Sequence, residues 1–162
     1  TNNTYHSKIV ISHLGIKNSS KPIFDKNHIQ FNFNIDSQIK YFGYKNEFSQ
    51  VILNIISNAK DALIENKIEN PIVKIETKIE NDDVYISIKD NALGIKEEII
   101  NKIFEPYFTT KHQFNGTGIG LYMSKLLMEK HLKGELTVKN VEYTFMDNNY
   151  KGALFEVILP IS

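Results

Sequence analysis

The chain has 162 residues with 19 acidic and 19 basic side chains, so its formal charge is zero, and 41% of it is hydrophobic. That size fits one domain able to bury roughly 70% of the surface its unfolded chain exposes, and the composition excludes disordered and collagen-like chains. Balanced charge speaks against a nucleic-acid partner, which calls for a basic excess. The absence of cysteine excludes disulfides and thiolate metal sites.

No apolar run approaches the ~18 residues of a membrane span, so membrane contact by this domain is not expected. No signal peptide is visible, and the start at Thr1 reads as a piece of a longer chain. All 19 basic residues are lysines. A phosphate group must therefore meet ammonium, hydroxyl or backbone N–H groups rather than a guanidinium fork. Asparagine is so frequent that any asparagine motif arises easily by chance.

In chain order, residues 5–17 carry Ile9, Val10, Leu14 and Ile16 and fit a helix, with Pro22 kinking or ending it. Residues 1–27 thus form a helical or linking segment leading into one domain. IQFNFNI, residues 29–35, alternates as a strand does, and IKYFGY from Ile39 fits a second short strand. Residues 46–66 give the strongest helix. Phe48, Val51, Ile52, Ile55, Ile56, Ala59, Ala62 and Leu63 repeat at helical spacing, and Asn46 suits the N-cap.

IVKIETKIE and VYISIKD pair as a hairpin around residues 81–83, and a short helix fits residues 96–104. A second amphipathic helix begins near Ile119, with Leu121, Met123, Leu126, Leu127 and His131 as its core side and Gly134 as its cap. Strands near 135–141, 142–146 and 153–159 close the chain, with residues 147–149 as a turn. Hairpin-paired strands mixed with separate helices point to an α/β two-layer sandwich, its mixed and mostly antiparallel sheet carrying helices on one face.

Three polar clusters remain. In LNIISNAKDAL, Asn54 and Asn58 lie one turn apart on one helix face, with Asp61 three residues further on. The strip suits a hard cation beside phosphates, or simply a solvated face. In SIKDNALGI, Asp90 ends a strand and Gly94 follows four residues later. A carboxylate buried there can accept from an exocyclic amine, and the same residues also fit an ordinary turn. In FEPYFTTKHQFNGTGIGL, Gly116, Gly118 and Gly120 can converge backbone N–H groups on an anion at the start of a helix. Thr109, Thr110, Lys111 and Thr117 add donors. A hinged loop is the other reading. The spacing matches neither the Rossmann fingerprint nor the P-loop. Phe104, Tyr107 and Phe108 read as core anchors of that loop. The five histidines show neither metal-ligand nor triad spacing.

Taken in order, the asparagine helix, the strand-end aspartate, F-x-P-[YF]-[FY]-T-T-K and GTGIGL resemble the catalytic and ATP-binding domain of sensor histidine kinases. These share the Bergerat fold with DNA gyrase, the heat-shock chaperone ATPases and MutL. The resemblance spans residues 29–159. It implies ATP and Mg²⁺ as cofactors, with Asn58 as Mg²⁺ ligand and Asn54 near the reacting phosphate. It implies that Asp90 bonds the adenine amino group and that Lys111 meets the γ-phosphate, with Lys60 as the weaker candidate. Asp61 stands where many kinases carry a basic residue. The resemblance also places Ala62, Gly94, Ile95, Phe104, Thr110, Gly116, Thr117, Gly118, Ile119, Gly120 and Leu121 around the nucleotide. A short lid, residues 111–115, is similar to that of nitrogen-sensing kinases.

The family's first glycine box reads D-x-G-x-G, but here Ala92 replaces the first glycine and Leu93 follows it. If Ala92 needs a positive φ, strain of order 1 kcal/mol follows. No histidine here heads the family's phosphoacceptor pattern, which implies a substrate histidine on a dimerisation helix outside this chain. The implied partners are that helix and a response regulator. The implied location is cytoplasmic, with membrane anchorage of the parent left open. Two other functions fit the same fold: a nucleotide-empty binding module, and an ATPase of the gyrase or chaperone kind, for which Asn54 is a poor base.

Overall fold

The computed structural model describes residues 15–109 and 118–161 in full and the backbone of residues 6–10. The elements run β1 (His6–Val10), α1 (Ile16–Lys26), β2 (Gln30–Asn34), β3 (Lys40–Tyr44), α2 (Lys45–Glu65), β4 (Ile72–Glu80), β5 (Asp83–Asp90), α3 (Glu97–Ile100), α4 (Gly120–Lys130), β6 (Glu135–Phe145) and β7 (Asn148–Pro160).

A mixed five-stranded sheet has the order β2-β4-β5-β7-β6, and β1 and β3 form a separate two-stranded sheet. β2 runs parallel to β4, and the other pairings are antiparallel. Because side chains alternate along a strand, Val84, Ile86 and Ile88 of β5 and Phe155, Val157 and Leu159 of β7 share the buried face. Lys74, Glu76, Ser87, Lys89 and Glu156 lie on the other. The helices cover the apolar face through one continuous core. α2 is its spine: Phe48, Val51, Ile52, Ile55 and Ile56 are at most 1% exposed, and each such side chain stabilises the fold by about 1.5–3 kcal/mol through burial.

Several expectations change. Residues 6–10 are a strand, antiparallel to β3, because their partner lies some thirty residues on, where local periodicity cannot see it. The first helix starts later and runs through Pro22. Proline leaves the carbonyl of Asn18 without its helical donor, and both residues are exposed, so water can take that place. α2 is preceded by Tyr44 in extended conformation with no side-chain cap, since β3 runs directly into it, and Asn46 lies inside the first turn.

On α4 the buried residues are Ser124 and Met128, while Met123 and His131 are exposed. The helix turns its small polar Ser124 inward to meet α2. At its end Lys133, not Gly134, takes a positive φ of 56°. Gly134 is there because a Cβ would strike the Ile158 carbonyl. The three expected tail strands are two long ones, joined at Met146 and Asp147, both with positive φ. No helix among the described residues is long and apolar enough to cross a membrane.

Candidate functional site

A cavity of about 770 Å³ opens between α2, the end of β5, the segment after it and the start of α4. α2 contributes Asn54, Asn58, Asp61 and Ala62, which its helical spacing brings to one side, beside the core stripe. The Nδ2 of Asn54 donates to the buried Ser124 hydroxyl at 3.1 Å, tying α2 to α4. The Nδ2 of Asn58 donates to the Asn54 carbonyl at 3.0 Å, which fixes the plane of its amide. Lys60 pairs with Asp61 at 3.0 Å and does not line the cavity.

Asp90 is the charged centre of the cavity wall. It is 3% exposed. The backbone N–H groups of Ala92 and Ala153 both donate to its Oδ1, at 2.9 and 3.1 Å, and among the described residues no hydrogen bond falls on Oδ2. Burial pushes its carboxyl above the ordinary 3.8, and the two N–H donors pull it back only in part. β7 approaches so closely that a Cβ on Gly152 would overlap the Asp90 carbonyl. The Tyr143 hydroxyl donates to that same carbonyl at 2.9 Å. Burial, and then the charge of Asp90, resist ionisation of this phenol.

The segment after Asp90 departs from expectation. Positive φ falls on Leu93 (74°) and Gly94 (83°), not on Ala92. Ala92 is buried, its methyl part of the core. The strain of order 1 kcal/mol therefore belongs to Leu93, whose side chain is 57% exposed. Asn66, at the C-cap of α2, donates to the Ala92 carbonyl at 2.9 Å. Asn91 is clamped at the strand base, accepting from the Ile72 N–H and donating to the Asn70 carbonyl.

Of the residues singled out by sequence, Asn54, Asn58, Asp61, Ala62, Asp90, Ala92, Gly94, Ile95, Phe108, Thr109, Gly118, Gly120 and Leu121 line the cavity. Ile119 and Phe104 do not line it. Phe104 instead packs edge-on against Phe155 at 6.3 Å, with the Lys125 ammonium 4.8 Å from its ring. Thr110, Lys111, Gly116 and Thr117, and the expected lid, lie outside the described residues. Tyr107, read as a core anchor, is 76% exposed with a φ of 65°. Its N–H donates to the Gly118 carbonyl, and a Cβ on Gly118 would collide with this backbone. Gly118 is thus a contact glycine between the two motifs.

Sequence reasoning missed Ser57, Glu65, Asn66, Lys96, Ile99, Ile103, Ala153 and Phe155 in the lining. Ser57, Glu65 and Asn66 follow Asn54, Asn58 and Asp61 at helical spacing and were open to the same argument. Ala153 and Phe155 arrive from β7, more than sixty residues from Asp90, and no local signal marks them.

The family described as histidine kinase-, DNA gyrase B-, and HSP90-like ATPase matches residues 43–162. The two-component sensor PprA of Pseudomonas aeruginosa is 37% identical over 123 residues, covering 74% of this chain and 12% of that protein. Sporulation kinase E of Bacillus subtilis is 34% identical over 116 residues, covering 72% of this chain and 14% of that protein. The chain therefore spans about an eighth of the length of these relatives. Among solved structures, the nucleotide-free catalytic domain of the histidine kinase ThkA superposes with a TM-score of 0.79 at 25% identity, covering 97% of this chain and 98% of that one. The chain belongs to the histidine kinase-, DNA gyrase B- and HSP90-like ATPase family, within which it is a catalytic domain of the two-component sensor histidine kinase type.

Proposed function

We propose that the cavity binds ATP with Mg²⁺ and that the domain donates the γ-phosphoryl group to a histidine on a dimerisation helix outside this chain. From there the group passes to an aspartate of a response regulator. The observation that carries the reading is Asp90. A carboxylate is costly to bury, and this one keeps both hydrogen bonds on Oδ1 while lining a cavity. An adenine amino group supplies the donor that Oδ2 lacks among the described residues. Buried, perturbed acids in clefts are where such recognition sits.

The rest of the cavity suits the phosphate end. Among the described residues no group of three or more His, Cys, Asp or Glu side chains can hold a metal ion. A hard cation here would be held by the amide oxygen of Asn58 beside the nucleotide's phosphates, a donor set that suits Mg²⁺. When bound, Mg²⁺ supplies charge neutralisation on the phosphates. Ala62, Gly94 and Ile95 flank the base. Gly118, Gly120, Leu121 and the start of α4 stand at the phosphates, with Thr110, Lys111, Gly116 and Thr117 completing the cover and Ile119 and Phe104 supporting it. Lys111 meets the γ-phosphate, and Asn54 sits near the reacting group. The protein positions and stabilises charge while the attacking nitrogen comes from the partner helix. Asn54 is a neutral amide tied to Ser124 and has no basic site to take a proton from water, which favours transfer over hydrolysis.

Titration calorimetry with Mg-ADP tests this. Saturable heat with Kd below about 1 mM, lost in Asp90→Ala, is expected. No heat at millimolar nucleotide would make the domain a nucleotide-empty binding module. Steady ATP turnover by the chain alone, abolished by Asn54→Ala, would instead indicate a hydrolase of the gyrase kind.

A further inference from the structure

Gly94 and Ile95, at the base end of the cavity, belong to no helix or strand, so neither has a strand neighbour to hold it. The partner of this segment is one side chain from β6. The Oδ1 of Asn140 accepts the Ile95 N–H at 2.7 Å, and its Nδ2 donates to the Ile95 carbonyl at 2.7 Å. A single amide thus satisfies both backbone groups of one residue, as an adjacent strand would. The same Nδ2 reaches Glu97 Oε1 at 3.2 Å, at the start of α3. Gly94 makes the room: a Cβ there would lie 2.7 Å from Oδ1 and 3.1 Å from Cγ of Asn140. Asn140 itself does not line the cavity.

We infer that Asn140 is a positioning residue for the nucleotide base, acting through Ile95. It completes the wall whose other end is Asp90, which β7 fixes through Ala153 and Gly152. The β6–β7 hairpin so grips the base segment at both ends, and at its middle, where the Leu93 N–H donates to the Lys151 carbonyl at 3.0 Å. Loss of the Asn140 amide leaves the Ile95 N–H and carbonyl without their partners and releases residues 92–96 from β6. The sheet itself loses no ladder bond, because the amide is not part of it. The inference rests on the ATP reading of the cavity.

The experiment uses the 162-residue chain and two variants. Asn140→Ala removes the clamp. Asn140→Asp keeps the volume and the acceptor but cannot donate to the Ile95 carbonyl. Mg-ADP affinity is measured by calorimetry, and amide exchange and thermal melting are measured without nucleotide. The expected result is an affinity loss of about tenfold for Asn140→Ala and a loss at least as large for Asn140→Asp, whose carboxylate would face the Ile95 carbonyl and Glu97 Oε1. Faster exchange should be confined to residues 92–96, with unchanged exchange in β5 and β7. Affinity within about twofold of the parent's, in a parent that does bind Mg-ADP, overturns the inference and spares the ATP site. Faster exchange throughout the sheet makes Asn140 merely structural and also overturns it. A parent that binds no Mg-ADP sinks the ATP reading and this inference together.

Discussion

At the scale of single residues, Asp90 sets binding against stability. Its folded pKa is raised chiefly by burial, with the Ala92 and Ala153 N–H groups pulling the other way. The folded state therefore holds the proton more tightly than the unfolded chain, and the ionised carboxylate subtracts from stability. That penalty grows as pH rises from the ordinary 3.8 through the raised value and is complete above it. Asp90→Asn removes the charge and keeps an oxygen for both N–H donors. At neutral pH it is expected to melt at or above the parent temperature, by about 2–4 °C for each kcal/mol regained. The same variant turns an NH₂ group toward a ligand donor, and Mg-ADP affinity is expected to fall about 10- to 100-fold. In the parent, affinity should weaken as pH falls through the raised value, and in the variant that dependence should vanish. Melting and calorimetry across pH check all three.

At the scale of elements, the meeting of β5 and β7 is the tightest joint near the cavity. A Cβ on Gly152 would overlap the Asp90 carbonyl and lie 2.8 Å from its Oδ1. Gly152→Ala is expected to cost on the order of 3 kcal/mol and to lower the melting temperature by roughly 10 °C. Gly120→Ala, whose Cβ would meet nothing within 4 Å at the start of α4, should melt like the parent, and thermal denaturation of the two separates them.

Elements whose own spacing declares them were legible in sequence: α2 by its apolar stripe, and β4–β5 by alternation broken at Asn81 and Asp82, both with positive φ. β1 was not, because its strand character comes from a distant partner rather than from Ile9 and Val10. On α4 Leu121 and Leu127 pack on the core as their spacing suggests, whereas Met123 and His131 are exposed and the fully buried positions are Met128 and a serine that meets Asn54. The site shows the same division. Asp90 and Asn58 were visible as motif residues, whereas Asn140 and Tyr143 act across the sheet, and nothing local distinguishes one asparagine among many.

For the whole molecule, α2 belongs at once to the core through Ile55 and Ile56 and to the cavity through Asn54 and Asn58. Occupying the cavity therefore stabilises the fold as a unit. At a hundredfold excess over Kd, Mg-ADP is expected to add about 2.7 kcal/mol, a rise of roughly 5–10 °C for a chain of this length, readable by scanning calorimetry. A rise confined to part of the transition would argue against one cooperative unit. The two donors to Asp90 Oδ1 are main-chain groups of alanines, and this has an evolutionary side. Short of proline, no exchange at positions 92 or 153 deletes either donor. Drift at these two codons can therefore disturb the acid only through packing, since Ala92 and Ala153 are both buried.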